Sequence, residues 1–130
     1  MAKFMAAMPR FERAWAGLSE APFNPDLPVI ERLFALGFLH FHLEACGWYA
    51  FAVTRNPFTG IDRAECFSLY VEPEARNSAE ARRLMLRLYR AAKREGAQEI
   101  LFTVPLALGQ VDSWAAALGD PVDIVFRRSL

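Results

Sequence analysis

Apolar positions along this chain switch between a helical spacing and a strict alternation, and the switches mark its elements. Phe11, Trp15 and Leu18 fall at i, i+4 and i+7, which predicts a helix over Pro9 to Leu18 with its proline in a tolerated first-turn position. Ser19 to Pro25 is polar and proline-containing and reads as a loop. Asp26 is placed to cap a second helix through Leu36, where Ile30, Leu33 and Phe34 share a face and Gly37 supplies the stop. From Phe38 to Ala45 the period becomes two: Leu39, Phe41, Leu43 and Ala45 take one side, His40, His42 and Glu44 the other. Cys46-Gly47 turns the chain into a strand from Trp48 to Thr54. The cluster Asn56-Pro57-Phe58-Thr59-Gly60 turns it again into a strand from Ala64 to Val71.

A helix is then predicted from about Ser78 to Gly96, with Leu84, Leu88 and Ala91 on its apolar side. Glu99 to Val104 is an apolar strand and Pro105 to Gln110 a loop. Asp112 caps a short helix from Ser113 to Leu118, ended by Gly119, and Val122 to Arg128 is a closing strand. The order α-α-β-β-β-α-β-α-β predicts an α/β fold, a mixed, mostly antiparallel sheet covered by about four helices. With 130 residues, no repeat and no long linker, a single domain over 1–130 is expected.

Net charge is zero, which argues against a dedicated nucleic-acid coat, but the charges are unevenly spread. Between Arg76 and Arg94 lie seven basic residues and one acid, Glu80. Arg83, Arg87, Arg90 and Arg94 recur at helical spacing, as a solvated face does, or a docking stripe for an acidic partner. Cys46 and Cys66 form no CxxC motif, so a reduced, cytoplasmic setting is expected. His40, His42 and Glu44 break the most apolar region, so no membrane span is expected. The same three side chains line a polar face or cleft wall, with metal binding as the lesser reading. Trp15, Trp48 and Trp114 read as core anchors.

The segment from Ala64 to Val104 carries the chemistry. A strand feeding a helix N-terminus presents free backbone N–H groups and the positive end of the helix dipole, which suit phosphates. Val71-Glu72-Pro73-Glu74-Ala75-Arg76 and the turn through Ala81 resemble the GNAT superfamily of N-acetyltransferases. In that family a strand ends in V-x-P before an R-x-x-G-x-G/A turn. Ser113 to Gly119 is similar to the family's last helix with its Leu-Gly end. The wording and short length look most like phage-encoded members, some of them virion-internal proteins with this fold.

The resemblance implies a GNAT-like acyl-CoA N-acyltransferase fold and transfer of an acetyl group from acetyl-CoA to a primary amine of a small molecule or protein. It places Arg76, Asn77, Ser78, Ala79, Glu80 and Ala81 along the pyrophosphate, with Arg82 or Arg83 reaching the phosphates. Leu69, Tyr70 and Val71 would run along the pantetheine arm. Glu65, eleven residues before Arg76, is the expected general base. The tyrosine that often serves as general acid is replaced by Ala115, leaving Tyr70 and Tyr89 as substitutes. A strand N–H near Val71 is expected to steady the oxyanion.

Two features of the residues pull the other way. Ala79 adds a methyl where the motif has glycine, and Asn77 with Glu80 reads as a capping box that satisfies the helix's own donors. The alternative is therefore a non-catalytic phage virion-internal or interaction protein, keeping the fold and partnered by a virion or host protein.

Overall fold

The period-two segments do become strands, and they lie side by side in chain order. The computed structural model describes residues 1–16, 23–102 and 128. Among them one sheet runs β1 (His40–Glu44), β2 (Gly47–Arg55), β3 (Asp62–Val71) and β4 (Glu99–Phe102). The first three pair antiparallel through tight turns, while β4 pairs parallel to β3. A parallel partner needs a crossover, and helix α4 (Ala79–Arg94) supplies it.

Alternation assigns the two sheet faces. Tyr49 and Phe51 on β2 and Ala64 and Cys66 on β3 meet Leu84, Leu88 and Ala92 of α4 in one buried cluster. Phe51, Leu84 and Leu88 are the largest fully buried side chains among the described residues. The opposite face is covered by α1 (Ala2–Ala6) and α2 (Met8–Trp15), where Ala7, Phe11 and Trp48 form a second cluster. Its rings meet edge-on or tilted: Phe4 with Phe11 at 5.1 Å, Phe11 with Trp48 at 4.8 Å, Phe4 with Phe41 at 5.3 Å. The third helix, α3 (Leu27–Ala35), adds Phe34 to this aromatic layer, 5.6 Å from Phe4. Asp26 caps it as expected, accepting from Val29 N–H at 3.2 Å.

Gly47 opens β2 pressed against the far end of β3, paired with Val71. A Cβ there would run into the Tyr70 carbonyl, so no other residue fits.

Several expectations are corrected. The helix expected from Pro9 is α2, which starts one residue earlier with Pro9 in its first turn, but a further helix, α1, precedes it, its Phe4 ring packed into the aromatic layer. Trp15 is 41% exposed and is no core anchor. Strand β1 is shorter than the alternation suggested, since Phe38 and Leu39 N–H still donate to the Leu33 carbonyl at the end of α3. The chain reverses at Ala45 and Cys46, one residue earlier than expected. Thr103, Val104, the helix Ser113–Leu118 with Trp114 and Ala115, and the closing strand lie outside the described residues, as does most of the loop from Ser19.

Candidate active site

The regular ladder of β3 breaks once, in its middle. Phe51 of β2 pairs with Cys66 but its neighbour Ala50 pairs with Ser68, so Phe67 is an extra residue, a β-bulge. Such bulges bend the strand and re-aim its side chains. Phe67 is 61% exposed. The parallel ladder to β4 runs from Arg63↔Glu99 to Cys66↔Phe102, its last described pair adjoining the bulge. Leu69, Tyr70 and Val71 lie beyond it, toward the start of α4. Leu69 and Val71 pack toward the α4 core, while Tyr70 turns to the other face and stacks on Trp48 at 4.4 Å. Trp48, itself buried, donates its indole N–H to Ser68 Oγ at 2.9 Å.

Past β3 the chain makes one turn of 3-10 helix, Pro73–Ala75, and enters α4. Arg76 Nε donates back to the Val71 carbonyl at 3.1 Å, tying the turn to the strand end. Asn77 sits in the left-handed region at φ 62°, a conformation asparagine tolerates better than most residues. This sets Ser78 as the helix cap: its Oγ accepts from Ala81 N–H at 3.2 Å, and its N–H donates to the Ala75 carbonyl at 3.1 Å. The expected Asn77–Glu80 capping box is therefore corrected, because left-handed Asn77 precedes the cap position. Glu80 acts within the first turn instead. Hydrogen bonds from its own backbone N–H, then from the Ser78 hydroxyl, then the charge of Arg83, hold its carboxyl below the usual range. Of the four donors a helix start leaves open, those of Ser78 and Ala81 are engaged, and the Ala79 and Glu80 N–H groups face the turn.

Glu65 lies on β3 two residues before the bulge, on the face away from the α4 core, between Ala52 of β2 and Leu101 of β4. Thr54 Oγ1 donates to its Oε1 at 3.0 Å. Bulge, turn and carboxylate thus lie on one strand and its exit: Glu65, then Phe67, then the helix start with Ala79.

Comparison with solved structures decides the fold. An aminoglycoside acetyltransferase from an uncultured soil metagenomic sample, in complex with sisomicin, matches 99% of this chain and 89% of its own at TM-score 0.74 and 14% identity. A ribosomal-protein-alanine N-acetyltransferase from Brucella melitensis matches at TM-score 0.65 and 16% identity over 96% of this chain and 93% of its own. A predicted acetyltransferase from Clostridium acetobutylicum, solved with acetyl-CoA, matches at TM-score 0.59 and 19% identity over 83% and 79%. The chain has the GNAT fold. No protein-family model and no curated protein matches the sequence.

Within the GNAT fold the remaining candidates fall in different places. Arg82 is exposed on the first turn of α4, and Arg83 pairs with Glu80 at 3.3 Å. Tyr70 is held by its stacking on Trp48, and burial first, then the charge of Glu72, raises its phenol. Tyr89 lies on α4, on the other side of the sheet, edge-on to Phe102 at 6.5 Å, with burial raising its phenol. The two tyrosines therefore occupy opposite faces. Burial also pushes the Cys66 thiol up to about 12, so it is no nucleophile.

His40, His42 and Glu44 share a face, but not a solvated one. His40 stacks on Phe51 at 4.8 Å and His42 on Tyr49 at 5.2 Å, on the α4 side. His42 Nε2 is 2.8 Å from Glu44 Oε1, and Arg87 of α4 pairs with the same carboxylate. All four arginines of the stripe, Arg83, Arg87, Arg90 and Arg94, are exposed, as a solvated face expects, and Arg87 pairs with Glu44 from it. Among the described residues no group of three His, Cys, Asp or Glu side chains is arranged to hold a metal ion. Among them, too, no helix is long and apolar enough to cross a membrane. Sequence reading missed Arg10, which reaches from α2 to Glu72 at the exit of β3 at 2.7 Å.

Proposed function

We propose that this chain is an acetyl-CoA-dependent N-acetyltransferase, a single domain over residues 1–130 acting in the cytoplasm on a primary amine of a small molecule or protein. The observation that carries the reading is the run along one strand: Glu65, the bulge at Phe67, and the Arg76–Ala81 turn into α4. Structural neighbours described as acetyltransferases, one with an aminoglycoside and one with acetyl-CoA, support it.

The turn fits a diphosphate. Ala79 presents its N–H at the positive end of a 16-residue helix, and the exposed Arg76 and Arg82 flank it. The carboxylate of Glu80 competes for that position, but it is exposed and its partner is the neighbouring Arg83, so it can swing into solvent. Bound acetyl-CoA supplies an activated acyl carbon, a thioester. Leu69, Tyr70 and Val71 border its arm, and a β3 N–H between the bulge and Val71 steadies the oxyanion as the amine attacks. Glu65 takes the proton that the amine loses on forming the C–N bond, and the C–S bond breaks to release the thiol. The thiolate takes its proton from solvent or from Tyr70; Tyr89 lies on the opposite face of the sheet.

A second reading, a non-catalytic interaction protein, rests on Glu80, whose carboxylate stands in the first turn of α4 and repels a diphosphate there. Calorimetric titration with acetyl-CoA separates the two. The first expects micromolar binding lost in Arg76→Ala and strengthened several-fold in Glu80→Ala. The second expects no binding by the natural chain and binding gained only in Glu80→Ala. Turnover of an amine screen, abolished by Glu65→Gln, then tests catalysis.

A further inference from the structure

Outside the turn itself lies a polar network that the catalytic reading does not use, and it ends on the residue from which the turn starts. Arg10 leaves the first turn of α2 and lies over the Trp48 ring, 5.3 Å from its centroid. Its Nε and Nη2 both donate to Glu72 Oε1, at 3.0 and 2.7 Å. Its Nη1 donates to the Glu44 carbonyl at 3.0 Å and its Nη2 to the Ala45 carbonyl at 3.1 Å. One guanidinium thus joins α2, the β1–β2 turn and the exit of β3. Arg10 and Glu72 are each 23% exposed at the side chain, so the pair is shielded more than a surface ion pair.

Glu72 is tied at both backbone groups and at its carboxylate. Its N–H donates to the Cys46 carbonyl at 2.9 Å, its carbonyl accepts from Ala75 N–H at 2.9 Å, and its carboxylate accepts twice from Arg10. The bonds of the turn then follow in sequence: Ala75 N–H to Glu72, Arg76 N–H to Pro73 at 3.4 Å, Ser78 N–H to Ala75 at 3.1 Å, Ala81 N–H to Ser78 Oγ. The chain of bonds begins at Glu72 and ends at the first turn of α4. A displacement at its origin is carried to the Ala79 N–H, and positioning errors of about 1 Å cost on the order of a hundredfold where geometry does the work.

We propose that Arg10 is a positioning residue for the turn from residue 73 to 81, acting through Glu72. The identity of the anion it prepares the turn for rests on the acetyltransferase reading above. Arginine suits the task because its planar fork reaches a carboxylate and two carbonyls at once, which a lysine ammonium does not.

The test is amide hydrogen exchange on the full chain, comparing Arg10→Ala, Arg10→Lys, Glu72→Gln and the double variant Arg10→Ala/Glu72→Gln. Positioning expects the Ala75, Ser78 and Ala81 amides to exchange about tenfold faster in Arg10→Ala and Glu72→Gln. Those of Leu84, Leu88 and Ala92 keep their natural rates, and the double variant is no worse than Arg10→Ala. Arg10→Lys, which keeps the charge and loses the fork, falls between and serves where the alanine variant does not fold. Turn amides that do not change, or all amides accelerating alike, overturn the proposal. Titration with acetyl-CoA on the same proteins expects about tenfold weaker binding in Arg10→Ala. A natural chain that binds no acetyl-CoA sinks the acetyltransferase reading, and the exchange pattern still decides whether Arg10 positions the turn.

Discussion

Thr54 Oγ1 donates to Glu65 Oε1 at 3.0 Å across the β2–β3 ladder, so the carboxylate proposed as base is oriented by the strand beside it. Both residues lie on the face away from the α4 core, and Glu65 precedes the bulge by two positions. A general base contributes about 10²–10⁴-fold. Glu65→Gln is expected to lower kcat by about that factor while leaving acetyl-CoA affinity unchanged, as read by calorimetry beside steady-state rates. Thr54→Val keeps the carboxylate and loses its orienting bond, so a fall of a few-fold in kcat is expected. Equal losses of binding and turnover in Glu65→Gln would instead place this residue in the framework.

Asn77 makes the next prediction, because its φ of 62° is reached without strain by few residues. Glycine at this site is expected to change stability by no more than a few tenths of a kcal/mol, while a β-branched valine costs about 1–2 kcal/mol. Urea unfolding of Asn77→Gly and Asn77→Val checks this. If the two behave alike, the turn does not depend on the left-handed residue.

The same turn shows what was legible in the sequence and what was not. Asn77 and Ser78 are both good capping residues, and nothing local says which one caps. The choice follows from Asn77's positive φ, which leaves the Ser78 hydroxyl over the Ala81 N–H. The strands, by contrast, were readable because period two is set by the pleat itself. The bulge was not, since Cys66-Phe67-Ser68 alternates on paper as smoothly as any strand, and only pairing with Ala50 and Phe51 reveals the extra residue. His40, His42 and Glu44 read only as a polar face or cleft wall because the partner of Glu44 on α4, Arg87, lies 43 residues further on. Arg10 was invisible for a similar reason: its carboxylate partner is 62 positions away. Nearest-neighbour pattern gave the elements, and long-range pairing gave the site.

The two cysteines should differ sharply toward thiol reagents. Cys66 is buried in the α4 core, and that burial pushes its thiol up to about 12. At pH 8 its thiolate fraction is then roughly 10⁻⁴, and access is blocked as well. Cys46 sits partly exposed in the β1–β2 turn. Titration of the native protein with an aromatic disulfide reagent is expected to label one thiol quickly and the second only after denaturation. Cys46→Ser should abolish the fast phase. Two fast thiols would mean that the contact between α4 and β3 opens readily.

His42 predicts how stability depends on pH. Burial first, then the charges of Arg87 and Lys3, hold its imidazole below the ordinary value of 6.5. The neighbouring Glu44 does not reverse this, because Arg87 pairs with the same carboxylate, and the Tyr49 ring covers the imidazole face. Neutral His42 donates Nε2–H to Glu44 Oε1 at 2.8 Å. In the unfolded chain the imidazole takes up a proton at higher pH than in the fold, so the unfolded state binds more protons in that window. The contribution of His42 is therefore fully present above about pH 6.5 and is lost as pH falls through the lower folded value. Urea unfolding between pH 7.5 and 5 should show stability falling with acid, and His42→Gln, which keeps a donor to Glu44 but cannot titrate, should flatten that slope. A slope unchanged by the substitution would move the acid sensitivity to the carboxylates instead.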